Sequence, residues 1–403
     1  MKIGIWLKSG YNPETGGGYS YYSQLIDGID NYSFSDEIEI CYIIEGNNTP
    51  HLNRPIIHLS YVPTPITTKD KILRKIPILR SRIQRTIDQR NEQDTKEEYT
   101  KILRSNNVKL IYYPIPYYCT LPDFPFVITH WDIGHRSTFA FPEVAGRDTF
   151  VEREHFYNNI LPKALFVFCE STAGKEELIR FTQIHPMKIK VVPIFPGGSS
   201  SILVDRESQN NILQQLGLVK NKYFYYPAQF WAHKNHITLL NAFNIFLKDH
   251  SDYMLVFTGS NHGNLQYLKE KAQQLGIEEH VVFAGFVSKE TVYTLYQNAT
   301  SLVMPTLMGP TNMPLLEAME CNCPVICSDF PGHKEELADS AFYINPINTT
   351  EIVSAMEEMV IHHEEYSQRI QSQKKSCPFT LNNALQSLNN HLLEAIHLRS
   401  CWG

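Results

Sequence analysis

Positive charge is the first thing in short supply. Against 42 Asp and Glu, the 403-residue chain carries 36 Lys and Arg, for a formal net charge of −6. A generic nucleic-acid binder needs a basic footprint, so that class is set aside. Long apolar runs are missing too. None approaches the ~20 residues that span a bilayer. The opening Met1-Lys2-Ile3-Gly4-Ile5-Trp6-Leu7 is strand-like and has no charged segment leading into an apolar one. No secretory leader is read there, and the cytoplasm is the expected compartment. Cysteine is scattered, at 41, 119, 169, 321, 323, 327, 377 and 401. Cys41 and Cys169 lie inside apolar runs and read as reduced core residues. Cys321, Cys323 and Cys327 are close together but lack the paired CxxC spacing of a zinc site, so no metal is expected.

What is there is ordinary globular material, 43% hydrophobic and 19% charged. At this length a single core usually splits, and two domains are expected. Near-continuous apolar runs recur in the first half ("KIGIWL", "IEICYII", "IIHLSYV", "VKLIYY", "FVITH", "ALFVFC") and again in the second ("KYFYYPA", "YMLVFTG", "HVVFAGF", "SLVMP", "PVICSD"). Such runs suit parallel strands buried on both faces. Helical spacing lies between them, as in "HITLLNAFNIFLKDH" and "GNLQYLKEKAQQLG". The alternation, twice over, predicts an α/β protein of two doubly wound domains. Residues 1–205 are expected to form the first and 206–375 the second, with a polar linker near 200–211. Residues 68–90 stand apart: eight Lys and Arg against two Asp, interleaved with Ile and Leu. They read either as a solvated helix face or as a patch for an anionic membrane or a phosphate-bearing substrate. Pro77 would break or kink a single helix there.

Three stretches carry chemistry. Gly16-Gly17-Gly18 precedes a helical stretch, and glycines there let backbone approach a phosphate or sugar, though turn chemistry alone also uses them. "YYPAQFWAHKNH" ends a strand and opens a helix with Lys234 and Asn235, a place for a cation facing a diphosphate. In "GPTNMPLLEAM" a helix is expected to start at about 312–314, after the N-cap types Thr311 and Asn312 and with Pro314 in its first turn. Its free N–H groups face anions. Glu317, one turn in, is placed to accept hydrogen bonds from a ribose diol, or else is an exposed capping acid.

Taken with "THWDIGHRSTFAFPE" (129–143), these stretches resemble, in order and over nearly the whole chain, the retaining family 4 glycosyltransferases of GT-B fold. The "AQFWxHKN" and "GPTN" forms are similar to a bacterial polysaccharide-assembly branch. The resemblance implies two Rossmann-like domains with a cleft between them, and a C-terminal helix (376–403) crossing back to the first. It implies transfer of a sugar, mannose or rhamnose for example, from a nucleotide diphosphate sugar to a glycan or lipid-linked acceptor hydroxyl. Configuration would be retained, with no metal or other cofactor. The setting implied is O-antigen or capsule assembly at the inner face of the cell membrane.

Position by position, the resemblance makes Glu317 the ribose acid and Lys234 the diphosphate lysine. It adds Gly17, Gly18, Gln229, Asn235, Gly309, Thr311, Asn312 and Met313 to the donor site. It gives Asp132 and His135, with Lys234, catalytic roles, and it puts His130 and Arg136 against acceptor or sugar. Three positions depart from the family pattern: Gly309 replaces a sugar-holding Glu, Gln229 an Arg, and Trp131 a His. A catalytically inactive partner or scaffold of a polysaccharide-synthesis complex is the alternative, and a GT-B sugar-nucleotide epimerase a lesser one.

Overall fold

A computed structural model describes every residue except 9, 11–15, 47–50, 61–76, 201 and 403; side chains at 77–80, 82 and 83 are also outside the description. The first sheet has seven parallel strands: β1 (Lys2–Trp6), β2 (Glu39–Glu45), β3 (Ile56–Leu59), β4 (Val108–Tyr113), β5 (Phe126–His130), β6 (Phe166–Cys169) and β7 (Ile189–Val191). Their order is β3-β2-β1-β4-β5-β6-β7. The second sheet has six: β8 (Tyr223–Pro227), β9 (Met254–Thr258), β10 (Val281–Gly285), β11 (Ser301–Met304), β12 (Val325–Ser328) and β13 (Phe342–Ile344), ordered β10-β9-β8-β11-β12-β13.

Each order doubles back once, between β1 and β4 and between β8 and β11. In doubly wound sheets ligands sit beyond the carboxyl ends of the strands at this reversal. The strands are largely apolar because helices cover both faces. In β8, Tyr223, Phe224, Tyr225 and Tyr226 are all fully buried. Tyrosine is tolerated there because each hydroxyl finds a partner, as Tyr223 does on the Leu295 carbonyl at 2.8 Å.

The crossover between sheets is shorter than the sequence pattern suggests. Asp205 accepts from the Ser208 N–H at 2.9 Å and starts a helix, Arg206–Gln215, inside the expected linker. The last helix, Leu381–Arg399, packs on the first sheet's layer. Gly28 leaves room there for Leu381 and Leu385, the Ser35 N–H donates to Asn389 at 3.0 Å, and Lys190 pairs with Glu394 at 2.6 Å.

The basic segment lies partly outside the described residues. Residues 77–90 begin a long helix, Pro77–Ser105, with Pro77 at its first described position. Among the described residues no helix is long and apolar enough to cross a membrane.

Candidate active site in the cleft between the sheets

A cavity of about 240 Å³ opens where the carboxyl edge of the second sheet meets the first helix of the chain. Its walls include Gly16, Gly17 and Ser20 on one side and Gln229, Gly259, Met313 and Glu317 on the other. Gly16 has φ +75° and caps the helix Gly17–Asn31; a β-carbon there would lie 3.0 Å from Gln229 Nε2. The dihedral calls for glycine, and its bareness lets the Gln229 side chain lie close. Gly18 follows in the first turn. A second helix, Met313–Glu320, begins at the opposite wall, so the positive ends of two helices face the same space.

Glu317 is buried on this second helix. Its Oε2 accepts from the Tyr296 hydroxyl at 3.0 Å. Its Oε1 occupies the place where a β-carbon on Gly197 would sit. Burial pushes its carboxyl up to about 7, against the pull of the Tyr296 hydrogen bond. A carboxylate with one donor among the described residues and a cavity beside it can accept from hydroxyls.

Lys234 ends a short turn after β8. Its Nζ donates to Asn312 Oδ1 at 3.0 Å. Asn312 is the N-cap of the second helix, but its side chain does not close the cap. Instead its Nδ2 donates to His333 Nε2 at 3.0 Å, and His333 Nδ1 donates to the Ser328 carbonyl at 2.7 Å. This chain fixes the amide's orientation and turns its oxygen to Lys234. Burial lowers the ammonium to about 8, while Asp132 and Glu143 oppose the shift. Among the described residues no carboxylate forms an ion pair with it, which leaves the charge for a ligand. Thr311 Oγ1 donates to Glu170 Oε2 of the first domain at 3.1 Å.

Other expected residues are placed differently. Asn235 is a staple: its Nδ2 donates to the Pro305 and Pro346 carbonyls at 3.0 and 2.8 Å, its Oδ1 accepts from Thr238 at 2.6 Å, and it does not line the cavity. Gly309 lines a separate cavity, and its φ of +108° disfavours the glutamate found there in the resembling family. His130 is sealed in the core, with Nε2 against the Tyr157 hydroxyl at 2.8 Å. His135 and Arg136 turn away from the cleft onto Glu154, at 3.0 and 2.6 Å. Asp132 accepts from Arg153 and from the Gly134 N–H, both at 2.9 Å. Burial raises its carboxyl, but Arg153 and that N–H outweigh it and hold it below the usual range. As a paired carboxylate it orders the loop after β5 and electrostatically supports Lys234.

Glu143, the last residue of the stretch 129–143 but given no role there, and several acids outside the motifs tie the two walls together. Glu143 Oε1 accepts from the His233 backbone N–H at 2.9 Å and from its Nδ1. Glu335 accepts from the Thr172 and Ala173 N–H groups, each at 2.9 Å, and so caps a helix of the other domain. Glu170 is buried at the end of β6, with its carboxyl pushed up to about 8 by burial despite the Thr311 hydrogen bond. Lys289 joins the cavity wall from the helix after β10. A lone acid or lysine at a strand end leaves no distinctive sequence signal, and only tertiary placement gives these meaning.

Comparison with known proteins narrows the chemistry. Residues 208–376 match the model of the glycosyl transferases group 1 family. The O-antigen chain mannosyltransferase RfbU of Salmonella typhimurium is 26% identical over 203 residues, 49% of this chain and 53% of that protein. The Escherichia coli O-antigen chain mannosyltransferase B is 25% identical over 232 residues, 57% of this chain and 59% of that protein. The chain thus matches little more than half the length of these curated relatives. The Anabaena protein HepE, solved with UDP and glucose, aligns over 97% of this chain and 99% of its own with a TM-score of 0.66 at 17% identity. At such identity the likeness is one of fold, and that fold is GT-B.

Proposed function

We propose that the protein is a retaining glycosyltransferase that moves a hexose from a nucleotide diphosphate sugar to a hydroxyl of a glycan or lipid-linked acceptor. What carries this reading is the cavity at the sheet's carboxyl edge, bounded by the half-satisfied carboxylate of Glu317 with the unneutralised ammonium of Lys234 beyond it. The ribose diol donates to Glu317. The diphosphate lies against Lys234 and the N-terminus of the helix Met313–Glu320, with Gln229 beside it. The sugar projects toward Thr311 and Asn312. As the C1–O bond to phosphate breaks, Lys234 and the helix N–H groups stabilise the growing charge, ordinarily the largest catalytic contribution. The acceptor oxygen bonds to C1 on the same face, and its proton passes to the leaving phosphate oxygen. No metal is part of this scheme.

The group 1 match and the O-antigen mannosyltransferase relatives support a mannosyl donor and a role in bacterial surface polysaccharide assembly. The basic segment 68–90 supports peripheral contact with anionic lipid at the cytoplasmic membrane face. The test has two readouts. Thermal-shift screening against GDP-, UDP-, dTDP- and CMP-sugars identifies the donor, since a ligand bound only to the native state raises its stability. NMR of the product of the matching donor then gives the anomeric configuration. Failure of every nucleotide sugar to shift the melting point overturns the proposal.

A further inference from the structure

Asn312 and Gln229 both bring a side-chain amide to the candidate site. His333 turns the Asn312 amide so that its oxygen meets Lys234. At Gln229 the nitrogen end is presented instead, and Trp231 decides this. The placement follows from local backbone. Beyond β8 the Phe230 N–H donates to the Ser260 carbonyl at 3.1 Å, and the Phe230 ring is fully buried. Trp231 is extended, with φ −87° and ψ 152°. Gln229 and Trp231, two residues apart, therefore fall on the same side of the chain.

Two hydrogen bonds close this short turn. The Trp231 backbone N–H donates to the Gln229 carbonyl at 2.7 Å, and the indole Nε1–H donates to Gln229 Oε1 at 2.8 Å. One face of the indole is held by the exposed ring of His262, stacked at 4.0 Å between centroids and 14° between planes. An indole N–H donates and never accepts, so the amide atom facing it has to be the oxygen. The nitrogen is left at the other end, toward Gly16, where a β-carbon would lie 3.0 Å from it. Gln229 and Gly16 both line the first cavity. An amide nitrogen carries two N–H groups and can serve the glycine loop and a ligand together. The positive end of the helix Gly17–Asn31 and the Lys289 side chain bring the same sign to this cavity. A flipped amide would set a carbonyl oxygen there and repel the oxygens of a phosphate.

We infer that Trp231 is a positioning residue: its indole N–H, steadied by the His262 ring, fixes the Gln229 amide with its nitrogen toward the donor's diphosphate. This rests on the proposed transferase reading and deepens it, because a neutral amide donates to phosphate in only one of its two orientations.

The full-length protein is titrated with GDP and UDP by calorimetry, and with guanosine and uridine by saturation-transfer NMR. Trp231→Phe keeps a ring for His262 and removes the N–H. It should weaken the diphosphate that the wild type binds by about three- to tenfold and leave the parent nucleoside unchanged. In a Gln229→Ala background the same substitution should cost nothing further, because the group it positions is gone. His262→Ala, at an exposed position, should give a smaller loss of the same kind, and it decides the matter alone if the phenylalanine variant does not fold. An unchanged diphosphate affinity overturns the inference. So does an equal loss on nucleoside and diphosphate, or a further loss in the Gln229→Ala background. A wild type that binds neither GDP nor UDP counts against the transferase reading, and this inference falls with it; any of the other failures counts against Trp231 alone.

Discussion

Glu317→Gln should strengthen the empty protein and weaken its hold on nucleotide at the same time. The carboxyl is raised from 4.5 to about 7 because the folded site penalises its charge, which corresponds to about 3 kcal/mol as an upper bound. The folded protein therefore binds this proton more tightly than the unfolded chain does. The resulting stability is present below pH 4.5 and is lost as pH rises through 7. At pH 8 the glutamine variant, with no charge to bury, should exceed the wild type by up to about 3 kcal/mol, and at pH 4 the two should converge. Glutamine keeps an oxygen for the Tyr296 hydroxyl, so the fold is not asked to bury an orphan donor. Nucleotide binding moves the other way. Losing one strong acceptor for the ribose costs about 1–3 kcal/mol, roughly 5- to 150-fold in Kd. Urea unfolding between pH 4 and 8, paired with nucleotide titration by calorimetry, measures both. Parallel pH profiles for the two proteins would refute the buried-charge argument, and equal nucleotide affinity would remove Glu317 from the ribose.

Lys234→Ala should lower kcat by roughly 100-fold or more, with a smaller effect on donor KM, because its charge acts on the leaving diphosphate; a rise in KM alone would make it a binding residue. With its ammonium lowered to about 8 in the empty site, donor affinity of the wild type should fall as pH climbs past 8, which titrations at pH 7 and 9 read directly. Glu335→Ala removes two backbone hydrogen bonds across the domains and should cost about 1–2 kcal/mol in chemical denaturation. An unchanged midpoint and an unchanged radius of gyration in X-ray scattering would show that the cap does not hold the walls. Vesicle co-sedimentation at low salt should favour anionic over neutral lipid, and the preference should fade at high salt; equal binding to both would leave residues 68–90 an ordinary solvated surface.

The fold was legible wherever a run of apolar residues was long enough to be unambiguous. Eleven apolar runs were read as strands; ten contain one of β1, β3–β6 and β8–β12 whole, and "IEICYII" stops one residue short of the end of β2. The missing two, β7 and β13, have three residues each, and their sequences "IKV" and "FYI" are too short to show a period. The linker was overestimated because Arg206–Gln215 is a polar surface helix whose start signal, Asp205 capping Ser208, lies within the same polar stretch. For the candidate site, pattern reading named the loop glycines, Lys234 and the turn at 311–317, which sit where a strand ends and a helix begins. It also named Asn235, His130, His135 and Arg136, whose side chains bond to protein partners instead. Sequence spacing puts those side chains beside the cleft but does not say which way they point. Nor could it pair Glu143 with His233, or Glu170 with Thr311, because those contacts close over about 90 and 141 residues of chain.

Gly197 lies on the strand-free stretch that carries the chain out of the first domain, where the neighbouring Pro196 carbonyl accepts from Gln24 and the Gly198 N–H donates to Ser20. Its missing side chain is the space that the Glu317 carboxylate fills. The backbone that leaves the first domain and the acid proposed for the ribose therefore share one volume. Any side chain at position 197 would collide with that carboxylate, so this position and Glu317 must change together or not at all.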